Sequence, residues 1–131
     1  MDTGAWFAIA DKSDQYHHTA TKHLRELVDD KTQLITSNLV VHETAMLLAR
    51  RVSKKAAIQF LGLIFKDSVV EVIQSTSSSE QSAYAYFGKY AEHDFSITDC
   101  LSFVIMKQNL IKRAFTFDKH FKTMLFSVEP S

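Results

Sequence analysis

Apolar positions along the chain fall into two kinds of stretch, short β-branched runs and longer segments with helical spacing. Asp2 to Ala10 reads as a short helical piece behind a strand that is almost absent. Asp14 to Val28 reads as a helix capped by Ser13 or Asp14. Gln33 to Thr36 is a short strand. From Asn38 to Arg51, Leu39, Val40, Met46 and Leu47 recur with helical period. Ser53 caps a second helix running to about Lys66, with Ala57, Phe60, Leu61 and Ile64 on one face. Val69 to Ile73 is strand-like. The patch from Ser75 to Ser79 reads as a loop feeding a helix from Ser79 to Glu92, with Glu80 in its first turn and Ala83, Tyr86, Phe87 and Tyr90 at helical spacing. Ser96 to Gln108 is helical, Ala114 to Phe117 a strand, His120 to Thr123 a turn or short helix, and Leu125 to Val128 a last strand.

Strands that alternate with helices predict βαβ units and a parallel sheet. The expected class is α/β with a thick helical coat. In such sheets a ligand sits beyond the carboxyl ends of the strands.

Composition narrows this picture. With 131 residues, 46% hydrophobic and 23% charged, the chain has the size and make-up of one globular domain, residues 1–131. Three glycines and one proline argue against disordered, collagen-like or turn-dense all-β chains. One cysteine rules out an internal disulfide and a Cys-based zinc site. No apolar run approaches the ~18 residues of a membrane span, and no basic leader precedes Ala5 to Ala10, so a soluble cytoplasmic protein is expected. Fifteen basic residues balance fifteen acidic ones, which excludes a strongly basic nucleic-acid binder on average.

Four acids stand in chemically suggestive places. Glu43 has Leu39, Val40, Met46 and Leu47 as its helical neighbours, so it is expected to face inward and to need a partner or a cation. Asp99 follows Ser96 at capping-box spacing. Asp118 follows the strand Ala114 to Phe117, and Asp2 also reads as a strand-end residue. Carboxylates that meet in one cleft repel, and a hard divalent cation relieves the repulsion. An all-oxygen donor set suits Mg²⁺ or Mn²⁺.

The stretches Asp2-Thr3, His42-Glu43, Ser96 to Phe103 and Ala114 to Phe121, in this order and context, resemble a PIN-domain protein, specifically a VapC-type toxin ribonuclease. The resemblance implies a three-layer fold with a short central parallel sheet flanked by helices. It also implies a Mg²⁺- or Mn²⁺-dependent ribonuclease that hydrolyses RNA phosphodiesters by metal-activated water. By position, Asp2, Glu43, Asp99 and Asp118 become the catalytic metal ligands, supported by Thr3, Ser96 and Thr116. It further implies an RNA substrate, a cognate antitoxin and a homodimer. Arg113, Lys119, His120 and Lys122 are candidates to meet RNA. Two departures stand out. Only Met1 precedes Asp2, so the first strand is truncated or begins upstream, and Gly4 stands where a serine is common. The short start motivates an alternative, a catalytically impaired PIN-like module that binds protein.

Other residues carry plainer expectations. His17, His18 and His23 are expected at the surface, His42 in a structural role, Asp94 in a loop or cap, Cys100 in the core, and Trp6 and Phe7 in helix packing. Setting the four acids aside leaves eleven acidic against fifteen basic residues, a surplus of four positive charges. Arg50, Arg51, Lys54 and Lys55, with Lys112, Arg113, Lys119 and Lys122, supply much of it, so a neutral chain is compatible with an acidic cleft rimmed by basic groups.

Overall fold

A computed structural model describes residues 1–66 and 68–131. The order of elements is α1 (Thr3–Ala10), α2 (His17–Asp29), β1 (Leu34–Ser37), α3 (Asn38–Arg51), α4 (Lys54–Ile64) and β2 (Val70–Ile73). There follow α5 (Ser77–Lys89), α6 (Ile97–Gln108), β3 (Arg113–Phe115), α7 (His120–Thr123) and β4 (Ser127–Glu129). The expected α/β alternation and the parallel pairing are both present. β1 pairs with β2 from Leu34↔Val70 to Ser37↔Ile73, and β3 pairs with β4 from Arg113↔Ser127 to Phe115↔Glu129.

The strands form two separate two-stranded sheets rather than one. Among the described residues the Met1-Asp2 segment bridges the two. The Met1 ammonium donates to the Ile35 carbonyl at 2.7 Å, and the Asp2 amide donates to the Phe115 carbonyl at 3.0 Å. Two residues touch both sheets but are too few to form a ladder.

Side-chain caps set several helix starts. Ser37 accepts from the Val40 amide, Ser53 from the Ala56 amide and Thr76 from the Ser79 amide. The last of these moves the start of α5 ahead of the expected Ser79, because Thr76 and Ser79 close a reciprocal capping box. At α2 the expected cap is displaced the other way. Asp14 Oδ1 accepts from the Tyr16 amide in a turn, and the helix begins at His17.

The buried stripe of α3 is rotated from the expected one. Val40, Val41, Thr44 and Leu48 are buried, whereas Leu39 and Leu47 are half-buried and Met46 is exposed. Thr44 joins an apolar face because its hydroxyl donates to the Val40 carbonyl one turn back, at 2.8 Å. In α5, Phe87 turns outward while Ala83 is buried. One core gathers α5 and α6 with Phe95, Phe103, Phe121 and Phe126. Another packs Trp6 and Phe7 on Val40, Leu48 and Phe60, with Trp6 edge-on to Phe60.

His23 departs from its surface expectation. Its ring packs edge-on against Phe115 at 4.8 Å, with Nε2 at 3.3 Å from Glu129 Oε2. His17 is half-buried, its Nδ1 at 2.8 Å from the Ala8 carbonyl, while His18 and His42 are exposed. Cys100 is fully buried, and burial pushes its thiol up to about 11, which keeps it an unreactive core residue. Among the described residues no helix is long and apolar enough to cross a membrane.

Candidate metal centre

Asp2 sits immediately before α1, at the end of the segment that touches both sheets. It is buried, and one oxygen accepts the Thr116 hydroxyl at 2.9 Å. Burial and the nearby Asp99 charge push its carboxyl up to about 6, against the pull of Thr116 and of the Thr3 amide. The Met1 ammonium beside it is lowered to about 6, mainly by burial.

Asp99 is the third residue of α6. The Ser96 hydroxyl accepts from the Asp99 amide at 3.0 Å, and Asp99 Oδ2 accepts from the Ser96 amide at 3.1 Å. This capping box fixes the carboxylate at a helix N-terminus. Burial raises its pKa and Asp118 adds to the rise, while the Ser96 amide and His120 oppose it. The cap explanation and the site explanation of Asp99 therefore describe one geometry: the carboxylate that closes the box also faces the cleft.

Asp118 follows β3 by three residues. Its amide donates to Thr116 Oγ1 at 2.9 Å, and its Oδ1 accepts from the His120 amide at 2.9 Å. Thr116 is thus a buried hinge pin, giving its hydroxyl proton to Asp2 and taking the Asp118 amide. His120 stands between two acids, its Nδ1 at 3.2 Å from Asp118 and 3.4 Å from Asp99, with its ring edge-on to Phe95. Ligand atoms of Asp99, Asp118 and His120 lie within 4.8 Å of one another. The sequence makes His120 a candidate to meet RNA beside Asp118; the structure adds Asp99 as its second acidic neighbour. The sequence signal for His120 is its i+2 spacing from a strand-end acid.

Asp2, Asp99, Asp118 and His120 line one open cleft of about 660 Å³, shared with Thr3, Glu43, Arg51, Asp94 and Lys119. Glu43 reaches the cleft wall because the buried stripe of α3 is rotated. It is half-buried rather than turned into the core, and among the described residues it has no hydrogen-bond or ion-pair partner. Glu43 and Asp2 line the same cleft but stand outside the Asp99–Asp118–His120 group. Arg51 reaches the same cleft, its guanidinium over the Phe7 ring at 5.7 Å. Lys119 lies on the rim. Arg113 does not: it starts β3, at the opposite end from Asp118, and forms a two-pronged pair with Glu129 at 2.6 and 2.9 Å. Lys122 is exposed on α7, outside the residues that line the cleft.

The donor set fits a divalent cation. Asp2 and Asp99 are buried carboxylates with raised pKa values, the Asp99 charge adding to the rise at Asp2 and the Asp118 charge to that at Asp99, and a positive charge in the cleft would relieve this repulsion. Among the described residues Thr3 Oγ1 has no hydrogen-bond partner; it is buried at the same cleft, a free hydroxyl for a bound water.

Parallel strand pairs, helical layers and acids gathered where the strands end define the class. Residues 1–125 match the PIN domain model, and the chain belongs to that family. The individual relatives are mycobacterial. The chain is 32% identical over 126 residues to the 23S rRNA-specific endonuclease VapC20 of two Mycobacterium tuberculosis strains, a match that spans 96% of this chain and 93% of the relative. The crystal structure of M. tuberculosis VapC20, described as a sarcin-ricin loop cleaving toxin, superposes with a TM-score of 0.85 at 31% identity, covering 95% of this chain and 93% of that one.

Proposed function

We propose that this chain is a VapC-type toxin, a metal-dependent ribonuclease that hydrolyses RNA phosphodiester bonds. The observation that carries the reading is the meeting of Asp2, Asp99 and Asp118, from three distant segments, in one cleft with Arg51 and Lys119 on its walls. A divalent cation bound there, Mg²⁺ or Mn²⁺, supplies charge neutralisation and polarises water and phosphate.

The chain's own groups divide the remaining work. Asp2, Asp99 and Asp118 would hold the cation, and Glu43, on the same cleft, would hold it directly or through water. Thr116 keeps one Asp2 oxygen occupied, so that the other is presented to the cleft. His120 steadies Asp99 and Asp118. Arg51 and Lys119 face the negatively charged backbone of RNA. The products of this chemistry carry a 5′-phosphate and a 3′-hydroxyl.

The anchoring of Asp2 by Phe115 and Thr116 supports an active enzyme over an impaired binding module, since the short lead before Asp2 leaves this ligand fixed. The relatives' named substrate makes 23S rRNA, and its sarcin-ricin loop, the first RNA to try. A cognate antitoxin, a homodimer and a cytoplasmic location belong to the same reading, as does one domain over residues 1–131.

The test is cleavage of ribosomal RNA by purified protein with Mg²⁺ or Mn²⁺, with end groups determined on the products. Loss of cleavage on chelation and in Asp99→Asn is expected. Equal cleavage by the wild type and Asp99→Asn would overturn the assignment.

A further inference from the structure

The cleft that gathers the acids also holds a pair of stacked rings. Tyr16 and Phe117 lie face to face, their centroids 4.4 Å apart and their planes 6° from parallel, and both line the cleft with Asp118. Phe117 is the inner ring. It is half-buried, edge-on to Phe115 at 6.4 Å, and packs against the core of Ala5, Ala8 and Leu34. Tyr16 is the outer ring and stays 42% exposed. Phe117 covers one of its faces, so the exposure belongs to the other face and the ring edge.

Both rings are held from their backbones. The Tyr16 amide donates to Asp14 Oδ1 at 2.8 Å, and its carbonyl accepts the Ala20 amide at 2.8 Å. Neither anchor uses the phenol, whose hydroxyl has no partner among the described residues. Phe117 is fixed from either side, where the Thr116 amide donates to the Glu129 carbonyl and the Asp118 amide to the Thr116 hydroxyl. A ring pair held this way loses little freedom when a third ring joins the stack.

The surroundings select the third ring. Phe117 and Asp118 are neighbours in the chain, ~3.8 Å apart at Cα, so the stack stands within one nucleotide's reach of the acids. Arg51 and Lys119 on the same cleft suit a polyanion. A flat face beside basic groups is how single-stranded RNA is gripped, because every base offers a π-face while the backbone offers charge.

We propose that Tyr16, backed by Phe117, is the stacking platform for a nucleobase of the RNA strand beside the phosphate that is cut. The inference rests on the ribonuclease reading above and adds the contact that grips a base of the substrate. Tyr16 acts in it as a binding residue, touching neither the cation nor the reacting atoms.

The experiment measures binding in Ca²⁺ of two probes, penta-adenylate and the same five-unit backbone carrying stable abasic spacers. The proteins are the wild type, Tyr16→Phe and Tyr16→Leu; leucine keeps an apolar side chain on Phe117 and removes the ring. The wild type and Tyr16→Phe are expected to prefer the base-bearing probe, and Tyr16→Leu to lose at least about fivefold of that preference. All three should bind the abasic backbone alike. The wild type also gives a readout that needs no variant, since penta-adenylate should move the Tyr16 ring protons upfield and the abasic strand should not. An equal base preference in the wild type and Tyr16→Leu, or unmoved Tyr16 ring protons, would overturn the proposal, as would a wild type that does not bind penta-adenylate. Cleavage lost in Asp99→Asn, with no base preference at Tyr16, removes the platform and keeps the nuclease. Base-dependent binding through Tyr16 without metal-dependent cleavage supports the platform and removes the nuclease.

Discussion

The Thr116 hydroxyl donates to Asp2 at 2.9 Å, across a separation of 114 residues, while accepting from the Asp118 amide at the same distance. One buried side chain therefore sets the spacing between an acid from the start of the chain and an acid from near its end. Thr116→Val keeps the shape and removes both bonds. Partners of metal ligands typically contribute ~10–100-fold in affinity, and the loss of a buried hydrogen bond costs about 1–3 kcal/mol. Calorimetric Mn²⁺ titration and thermal unfolding are expected to show losses of that order, with Thr116→Ser close to wild type.

Much of this arrangement is legible in residue order, and the rest depends on contacts that no local pattern carries. Asp99 was found from Ser96 three residues before it, because a capping box is a local device whose partners adjoin in sequence. Asp118 was found from the strand that precedes it. Glu43 differs in orientation from what its neighbours predict. Its apolar neighbours suggested an inward face, but Thr44 hides its hydroxyl on the Val40 carbonyl and takes a core position, which rotates the stripe. Arg113 was misjudged because its ion pair with Glu129 depends on the β3–β4 register, which no local pattern carries. His120 is legible as a neighbour of Asp118, but nothing local shows that Asp99 stands 3.4 Å from its ring.

Asp99→Asn separates stability from activity. The amide oxygen can still accept from Ser96, so the capping box survives, while a buried charge facing Asp2 and Asp118 disappears. Without metal the variant is expected to melt no lower than wild type, and its RNA cleavage to fall at least about a hundredfold, a transition-state loss near ~3 kcal/mol. A large drop in Tm would mean that the carboxylate is chiefly structural.

The cleft walls predict salt dependence. If Arg51 and Lys119 each neutralise one phosphate of single-stranded RNA, each removal should flatten the plot of log affinity against log salt by about 0.7. Arg51→Gln and Lys119→Gln are expected to do so in a binding assay with catalytically inert Ca²⁺, whereas Arg113→Gln, committed to Glu129 at the far end of β3, should leave the slope unchanged. Equal slopes for all four proteins would remove the basic rim from the binding picture.

The raised pKa of Asp2 gives a pH signature with a definite sign. An acid whose pKa is about 6 when folded and 3.8 when unfolded contributes its stability fully below pH 4. That contribution is lost as pH rises through 6, to an extent on the order of 3 kcal/mol. The Met1 ammonium, lowered from 8.0 to about 6, acts in the opposite sense, weakening the fold as pH falls from 8 to 6. The two windows adjoin, about 4 to 6 for Asp2 and 6 to 8 for Met1, so together they give the wild-type profile a minimum near pH 6. Asp2→Asn isolates the acid, because the amide oxygen still accepts from Thr116. In metal-free buffer the variant should be more stable than wild type at pH 7, with the gap closing toward pH 4. Mn²⁺ should reverse the order at pH 7 by raising the wild-type Tm and leaving the variant nearly unmoved. Denaturant unfolding across this range, with and without Mn²⁺, checks both halves, and a gap that does not vary with pH would show that Asp2 is not a buried, repelled carboxylate.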